Sequence, residues 1–321
     1  MKKHFLSDFD FQLFFVVVAL CLVGIINLYS ATQGGEVASQ KFSYQLMWIG
    51  IGFVFMILIT FVDYRIIDRF VYPLYGLLLL LLIAVPLVGK AEYGAKRWLQ
   101  LGGGFRLQPS EFMKIGLIFV FSKYFSEAQK PYGYSLKDLL VPFTLLGIPF
   151  LLILVEPDLG TALMIGVIGF SMIVFAKMKL KSMIILVTLA IISFPIAWQF
   201  VLKDYQKNRV LTFISPGKDP RGKGFQALQS RIAIGSGKLF GKGFRKGTQT
   251  QLNFLPEQRT DFIFSVFAEE HGFVGSLLLL GLYLWFLSIG IRISKNARDK
   301  FGALLALGLT LILFWQVFIN I

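Results

Sequence analysis

A single cysteine in 321 residues, Cys21, excludes an intrachain disulfide and leaves no cysteine pattern for a zinc or haem site. Charge is scarce too. Only 16% of residues are Asp, Glu, Lys or Arg against 56% hydrophobic, a balance that excludes a soluble domain of this length. What the chain has instead is a series of long apolar runs. Nine of them, at 11–29, 44–62, 70–88, 109–125, 139–154, 159–176, 182–202, 272–291 and 301–321, come close to the roughly 20 residues that a bilayer crossing needs. The expected fold is an all-α polytopic membrane bundle of nine transmembrane helices, one membrane domain over residues 1–321. Lys2 and Lys3 precede the first run as in a signal peptide. That run is long and no small-x-small cleavage site follows it, so it reads as an uncleaved anchor.

The charges that do occur are unevenly placed. With a cytoplasmic N-terminus, the inside turns carry Arg65 and Arg69, then Lys123, Lys130 and Lys137, then Lys177, Lys179 and Lys181, then Arg292, Lys295, Arg298 and Lys300. Every cytoplasmic turn then satisfies the positive-inside rule, and the chain ends on the outer side at Ile321. The large extracytoplasmic loop, 203–260, holds twelve Lys/Arg against Asp204, Asp219 and Glu257, a net +9. A second outer loop, 89–107, adds Lys90, Lys96, Arg97 and Arg106 against Glu92 alone. Long translocated loops escape the positive-inside rule, so this excess leaves the topology standing. Two readings of it are open: adhesion to the anionic headgroups of the outer leaflet, or an anionic ligand held at the outer surface, with cations and backbone amides converging on phosphate. Nucleic acid is a poor candidate outside a membrane.

Within the large loop, glycines at 217, 222, 224, 235, 237, 241, 243 and 247 interleave with Lys223, Arg231, Lys238, Lys242, Arg245 and Lys246. Such a chain permits turns whose successive amides form an anion-binding nest, although a flexible loop has the same composition. No nucleotide P-loop is present. Only three residues separate Gly237 from Gly241, and Gly243 stands where Ser or Thr should follow Lys242. Phe225, Leu228, Ile232 and Ala233 fall at helical spacing, with Gln229 and Arg231 off the stripe. That pattern predicts a short amphipathic helix at the outer interface.

Carboxylates at or inside apolar spans are expensive and are functional candidates by default. Glu111 opens the fourth span behind Gln108, Pro109 and Ser110, an ordinary helix start. Lys114 follows three residues later on the same face. The pair is either a structural ion pair of the bundle interior or the lining of a polar cavity open to the outer surface, with Lys114 available for a phosphate. Asp158, between the fifth and sixth spans, can cap the sixth helix and can also take a functional part. Asp261 starts a helical pattern running to Ile291, 31 residues or about 46 Å at 1.5 Å per residue, longer than the hydrocarbon layer is thick. That helix either projects beyond the outer surface or breaks near Gly272. In both cases Asp261 lies at the outer interface beside the basic loop, with Glu269, Glu270 and His271 nearer the membrane. Asp261 has a bland role open to it as an N-cap partner, and a sharper one as a general base in a cationic cleft.

Six runs carry a resemblance. They are Lys96-Arg97-Trp98, Gln108-Pro109-Ser110-Glu111 with Lys114, Glu156-Pro157-Asp158-Leu159-Gly160-Thr161, Asn208-Arg209-Val210-Leu211-Thr212-Phe213, Gln229-Ser230-Arg231 through Gly235-Ser236-Gly237, and Leu255-Pro256-Glu257-Gln258-Arg259-Thr260-Asp261-Phe262 with Glu269-Glu270 and Gly272 behind it. Together, and in this order along essentially the whole chain, they resemble the RodA/FtsW family, also called SEDS. The glycine-rich loop looks more like its RodA branch than its division branch. That family has ten spans, and its last loop and tenth helix have no counterpart here.

The resemblance implies a peptidoglycan glycosyltransferase of cell-wall elongation that joins lipid II, a disaccharide-peptide on undecaprenyl pyrophosphate, in the bacterial inner membrane with its active site facing the periplasm. It implies as partners a class B penicillin-binding protein and other elongation-complex membrane proteins. Asp261 matches the family's proposed catalytic acid, and Glu111, Lys114 and Asp158 match other functionally important positions. With the sequence chemistry added, the substrate-binding candidates are these three with Lys96, Arg97, Arg209, Arg231, Glu257, Glu269 and Glu270. No cofactor is demanded. A divalent cation, Mg or Mn, at the pyrophosphate is chemically reasonable, but no ligand set requires one. The rival reading is a lipid II flippase, since charges inside a bundle also mark transport paths. Inverted repeats, which would support it, are not visible, and the charges gather on one face. A third is a scaffold that only recruits the transpeptidase.

Overall fold

The structure, a computed structural model, describes residues 9–32, 36–92, 95–100, 106–201, 207, 211, 223–247 and 262–321. Each of the nine apolar runs coincides with a helix: α1 (Phe11–Ala31), α2 (Glu36–Thr60), α3 (Tyr64–Val88), α4 (Pro109–Glu127), α5 (Leu140–Val155), α6 (Leu159–Phe175), α7 (Leu180–Ile196), α9 (Ile263–Lys295) and α10 (Lys300–Asn320). The amphipathic stretch of the large loop forms α8 (Lys223–Ser236). By length and composition six of these helices can cross a membrane, namely α1, α2 from Phe42, α3, α7 continued to Phe200, α9 and α10. Helices α5 and α6 are apolar but shorter.

Residues 89–107, read from the sequence only as a basic loop, contain a three-stranded antiparallel sheet of β1 (Lys90–Glu92), β2 (Ala95–Gln100) and β3 (Arg106–Leu107). Lys90 faces Trp98 and Leu99 faces Leu107, with a bulge between Lys90 and Ala91. Strands of three, six and two residues are too short to show an alternating pattern, which is why no strand was expected.

The chain forms two compact units. One comprises 1–61, 203–289 and 320–321, and the other 62–202 and 290–319. In the second unit α4 is the central helix. Met113, Leu117, Ile118, Val120, Phe121 and Phe125 are all buried, against Tyr75, Leu78 and Leu82 of α3, Ile165, Ile168 and Met172 of α6, and Leu305 and Leu311 of α10. Gly116, Gly169 and Gly308 sit where an added Cβ would strike Leu78, Leu146 and Ile118, so small residues set how closely these helices approach. In the first unit, α8 is tied to α9 by the hydroxyl pair Ser230 and Ser265, 2.6 Å apart. Ala233 of its apolar stripe is fully buried, while Leu228 and Ile232 remain exposed.

Candidate active site

In the second unit one set of polar groups meets at the turn between α5 and α6. Asp158 caps α6: its Oδ1 accepts from the Thr161 amide at 3.3 Å and its Oδ2 from the Thr161 hydroxyl at 2.9 Å. Capping of this kind stabilises a helix by about 1 kcal/mol. The same Oδ2 accepts the side-chain amide of Gln108 at 3.2 Å, which joins the turn to the start of α4. Gln108 is the N-cap residue of α4 by position, but its side chain makes no capping bond there. Arg97 reaches the turn from β2, donating from Nη2 to the Pro157 carbonyl at 2.5 Å, with Nε 3.9 Å from Asp158 Oδ2. Three segments thus converge on one carboxylate, which caps α6 and also contacts β2 and the start of α4.

Beside it, Glu156 is 2% exposed and neither of its carboxylate oxygens has a hydrogen-bond partner. Burial, reinforced by the Asp158 charge and opposed by Arg97, pushes its carboxyl from an ordinary 4.5 up to about 8. On α4, Lys114 Nζ lies 2.8 Å from Glu111 Oε2. The lysine is buried and the glutamate half exposed, so the pair reaches from the interior to the surface of the unit. A buried ammonium is tolerable only with such a partner.

The first unit concentrates its polar groups at a break in α9. Gly272 adopts φ 67 and ψ −162, splitting the helix as the second of the two alternatives left by the sequence has it. Each side of a helix break leaves backbone groups without partners. Here the glycine loop after α8 supplies them. The amides of Lys242 and Gly243 donate to the carbonyls of Glu269 and Glu270, each at 3.0 Å. In return the amides of Phe273 and Val274 donate to the carbonyls of Lys238 and Leu239 at 2.8 and 3.0 Å. Gly241, at φ 79, lies directly against the Glu270 carbonyl, where no side chain fits. The loop is therefore a cap for a broken helix. The amides of 241–243, which a nest would aim at an anion, are taken up by carbonyls of Gly237, Glu269 and Glu270.

Both carboxylates of this break are buried. Lys242 Nζ donates to Glu269 Oε1 at 2.7 Å, and the Ser30 hydroxyl of α1 donates to Glu270 Oε1. Asn27, one turn earlier on α1, donates to the Ile263 carbonyl at 2.9 Å. One oxygen of Glu270 and the Asn27 carbonyl oxygen are left without partners.

Of the remaining sequence candidates, Lys96 is exposed and donates to the Pro86 carbonyl at 3.2 Å, and Arg231 is exposed on α8. Asp261, Arg209 and Glu257 lie outside the described residues. Among the described residues, no three His, Cys, Asp or Glu side chains are grouped to hold a metal ion. Sequence reasoning passed over Glu156, Ser30 and Asn27. Glu156 carried a signal, a carboxylate ending an apolar span, but the neighbouring Asp158 absorbed it. Ser30 and Asn27 carried none, because a small polar residue in an apolar helix is common.

Against known proteins, the family model for FtsW, RodA and SpoVE, described as cell cycle protein, matches residues 11–321. The chain belongs to the FtsW/RodA/SpoVE family. Among relatives in that family, the peptidoglycan glycosyltransferase MrdB of Escherichia coli strain K12 is 37% identical over 312 residues, covering 97% of this chain and 83% of MrdB. A probable peptidoglycan glycosyltransferase FtsW of Geobacter metallireducens is 35% identical over 325 residues, covering 98% and 85%. Among solved structures, a chain from a peptidoglycan synthase complex in which polymerization and crosslinking are coordinated matches with a TM-score of 0.80 and 32% identity, over 98% of this chain and 86% of that one. The rod shape determining protein RodA of Thermus thermophilus matches with a TM-score of 0.69 and 28% identity, over 98% and 84%. With these family relations and its apolar helices, the chain is a multi-pass membrane protein.

Proposed function

We propose that this chain is a peptidoglycan glycosyltransferase that polymerises lipid II at the periplasmic face of the bacterial inner membrane, in the elongation branch of its family. The observation that carries the reading is the anchoring of Arg97 and Lys114 beside acidic partners, in a chain matched over nearly its full length by proteins named for this activity. A transferase that expels a diphosphate needs cations held in place before the charge develops, because preorganised groups need no rearrangement at the moment of reaction.

In the reaction, Asp261 accepts the proton of the acceptor GlcNAc 4-hydroxyl. That oxygen forms a bond to C1 of the donor MurNAc with inversion, while the bond from C1 to the prenyl pyrophosphate breaks and the pyrophosphate leaves with the electron pair. Arg97, Lys114, Arg209 and Arg231 stabilise the leaving charge, and Glu111 orients Lys114. Asp158 holds Arg97 and the start of α4 together. A class B penicillin-binding protein is the crosslinking partner, a reading supported by the likeness to a chain from a synthase complex that both polymerises and crosslinks.

The test is purified protein in liposomes with labelled lipid II, compared with Asp261→Asn. Glycan strands from the wild type and none from the folded variant support the assignment. Strands from the variant remove Asp261 from the mechanism, and leaflet exchange without strands establishes the flippase.

A further inference from the structure

The α5–α6 turn holds a mismatch that capping does not explain. Both oxygens of Asp158 already have donors, Thr161 on Oδ1, and Gln108 with the Thr161 hydroxyl on Oδ2. Arg97 therefore receives from Asp158 only a 3.9 Å contact, and its Nε is a buried donor with no acceptor. Its one hydrogen bond in the turn goes to a neutral group, the Pro157 carbonyl. The residue before that proline, Glu156, is buried with two oxygens and no donor. A buried donor without an acceptor and a buried acceptor without a donor, beside the same aspartate, are each unfavourable, because each has given up water and gained no partner.

We propose that Glu156 is a positioning residue for Arg97: as a neutral carboxylic acid it leaves the guanidinium on the Pro157 carbonyl with its charge available to the diphosphate, and as a carboxylate it captures Arg97 for itself. The inference rests on the glycosyltransferase reading above. The charged groups that act on Glu156 are Asp158 from its own turn and Arg97 from β2. From the start of α4 the uncharged Gln108 reaches the turn, while the charges of that helix's first turns, Glu111 and Lys114, are paired with each other. From α6 comes Thr161. No second cation is present in that set, so ionised Glu156 has Arg97 as its one strong partner among the described residues. Neutral Glu156 leaves Arg97 and Asp158 as a cluster with no net charge, whereas ionised Glu156 gives it one negative charge, which repels an anionic substrate. The titration near 8 puts this change just above neutral pH.

The experiment is the pH dependence of lipid II polymerisation in liposomes from pH 6 to 9.5, wild type against Glu156→Gln. Binding of a prenyl diphosphate and thermal stability are followed in parallel. A single ionisation near 8 lowers the neutral fraction about tenfold between pH 7 and pH 9, so the wild-type KM and the diphosphate Kd should rise about tenfold over that range. In Glu156→Gln both should stay flat. Superimposable curves for the two proteins, or a pH effect confined to Tm, overturn the inference and make Glu156 structural. A wild type that binds the diphosphate with this profile but makes no glycan leaves the positioning role standing and refutes the glycosyltransferase reading instead.

Discussion

The break in α9 and the turn between α5 and α6 are both polar assemblies in an apolar protein, and they differ in how completely their groups are partnered. At the break, four backbone hydrogen bonds between the glycine loop and α9 close both helix ends, and Glu269 has a lysine. At the turn, one aspartate takes three donors while the adjacent glutamate takes none and an arginine keeps a buried nitrogen unpaired. Satisfied networks hold a fold in one arrangement, and partly satisfied ones retain freedom to rearrange. With its four backbone bonds, and only one oxygen each of Glu270 and Asn27 left without a partner, the α9 break is the more lock-like of the two, and the α5–α6 turn is the place where charge moves.

The largest effect expected from breaking this contrast comes at Gly241. Gly241→Val puts a branched side chain at φ 79 against the Glu270 carbonyl and should destabilise the protein by on the order of 3 kcal/mol or more, read as a collapse of Tm in detergent. Next is Asp158→Ala, which removes the α6 cap, the link to Gln108 and the counter-charge of Arg97 together. A loss of about 2–4 kcal/mol and at least a tenfold fall in polymerisation are expected. A Tm within a degree of wild type would show that Asp158 is not the hub of the turn.

The contrast sharpens with two single charge removals. Glu269→Gln should lower stability by about 1–3 kcal/mol, since it leaves Lys242 facing a neutral amide at a buried position. Arg97→Gln should change stability by less than about 1 kcal/mol, because its ion pair is long and partly exposed, while cutting turnover about tenfold. Equal stability losses would erase the distinction between lock and mobile charge.

The most diagnostic effect is on stability against pH. Burial favours the neutral Glu156, so its contribution to stability is fully present below about 4.5 and is lost as pH rises toward 8. Glu156→Gln, which cannot ionise, should match the wild type in Tm near pH 4.5. It should then gain on it steadily to pH 8 and no further. A constant difference across that range would mean that Glu156 is ionised throughout.

Much of this was legible beforehand. Helix positions followed from apolar runs, because a helix that crosses lipid satisfies its backbone internally and needs only apolar side chains. The α8 stripe, the Glu111 and Lys114 pair at i and i+3, and Asp158 as a helix cap were readable because each is a local relation within a few residues. The sheet of 89–107 escaped notice because its pairing lies between strands too short for a pattern. The glycine loop read as flexible chain or anion nest, since composition says where glycine occurs but not which carbonyls its neighbours meet.

By itself the sequence determined a polytopic helical membrane protein, the excess of cations in two of its loops and a short set of carboxylates too costly to be incidental. Those properties depend on residue type and spacing along one chain. Only the tertiary structure decided that Lys242 belongs to Glu269, that the glycine loop caps a broken helix, and that Glu156 rather than Asp158 is the acid left without a donor. Partnership across 27 to 240 residues is set by packing, and a buried group's charge state follows from which neighbours packing brings to it.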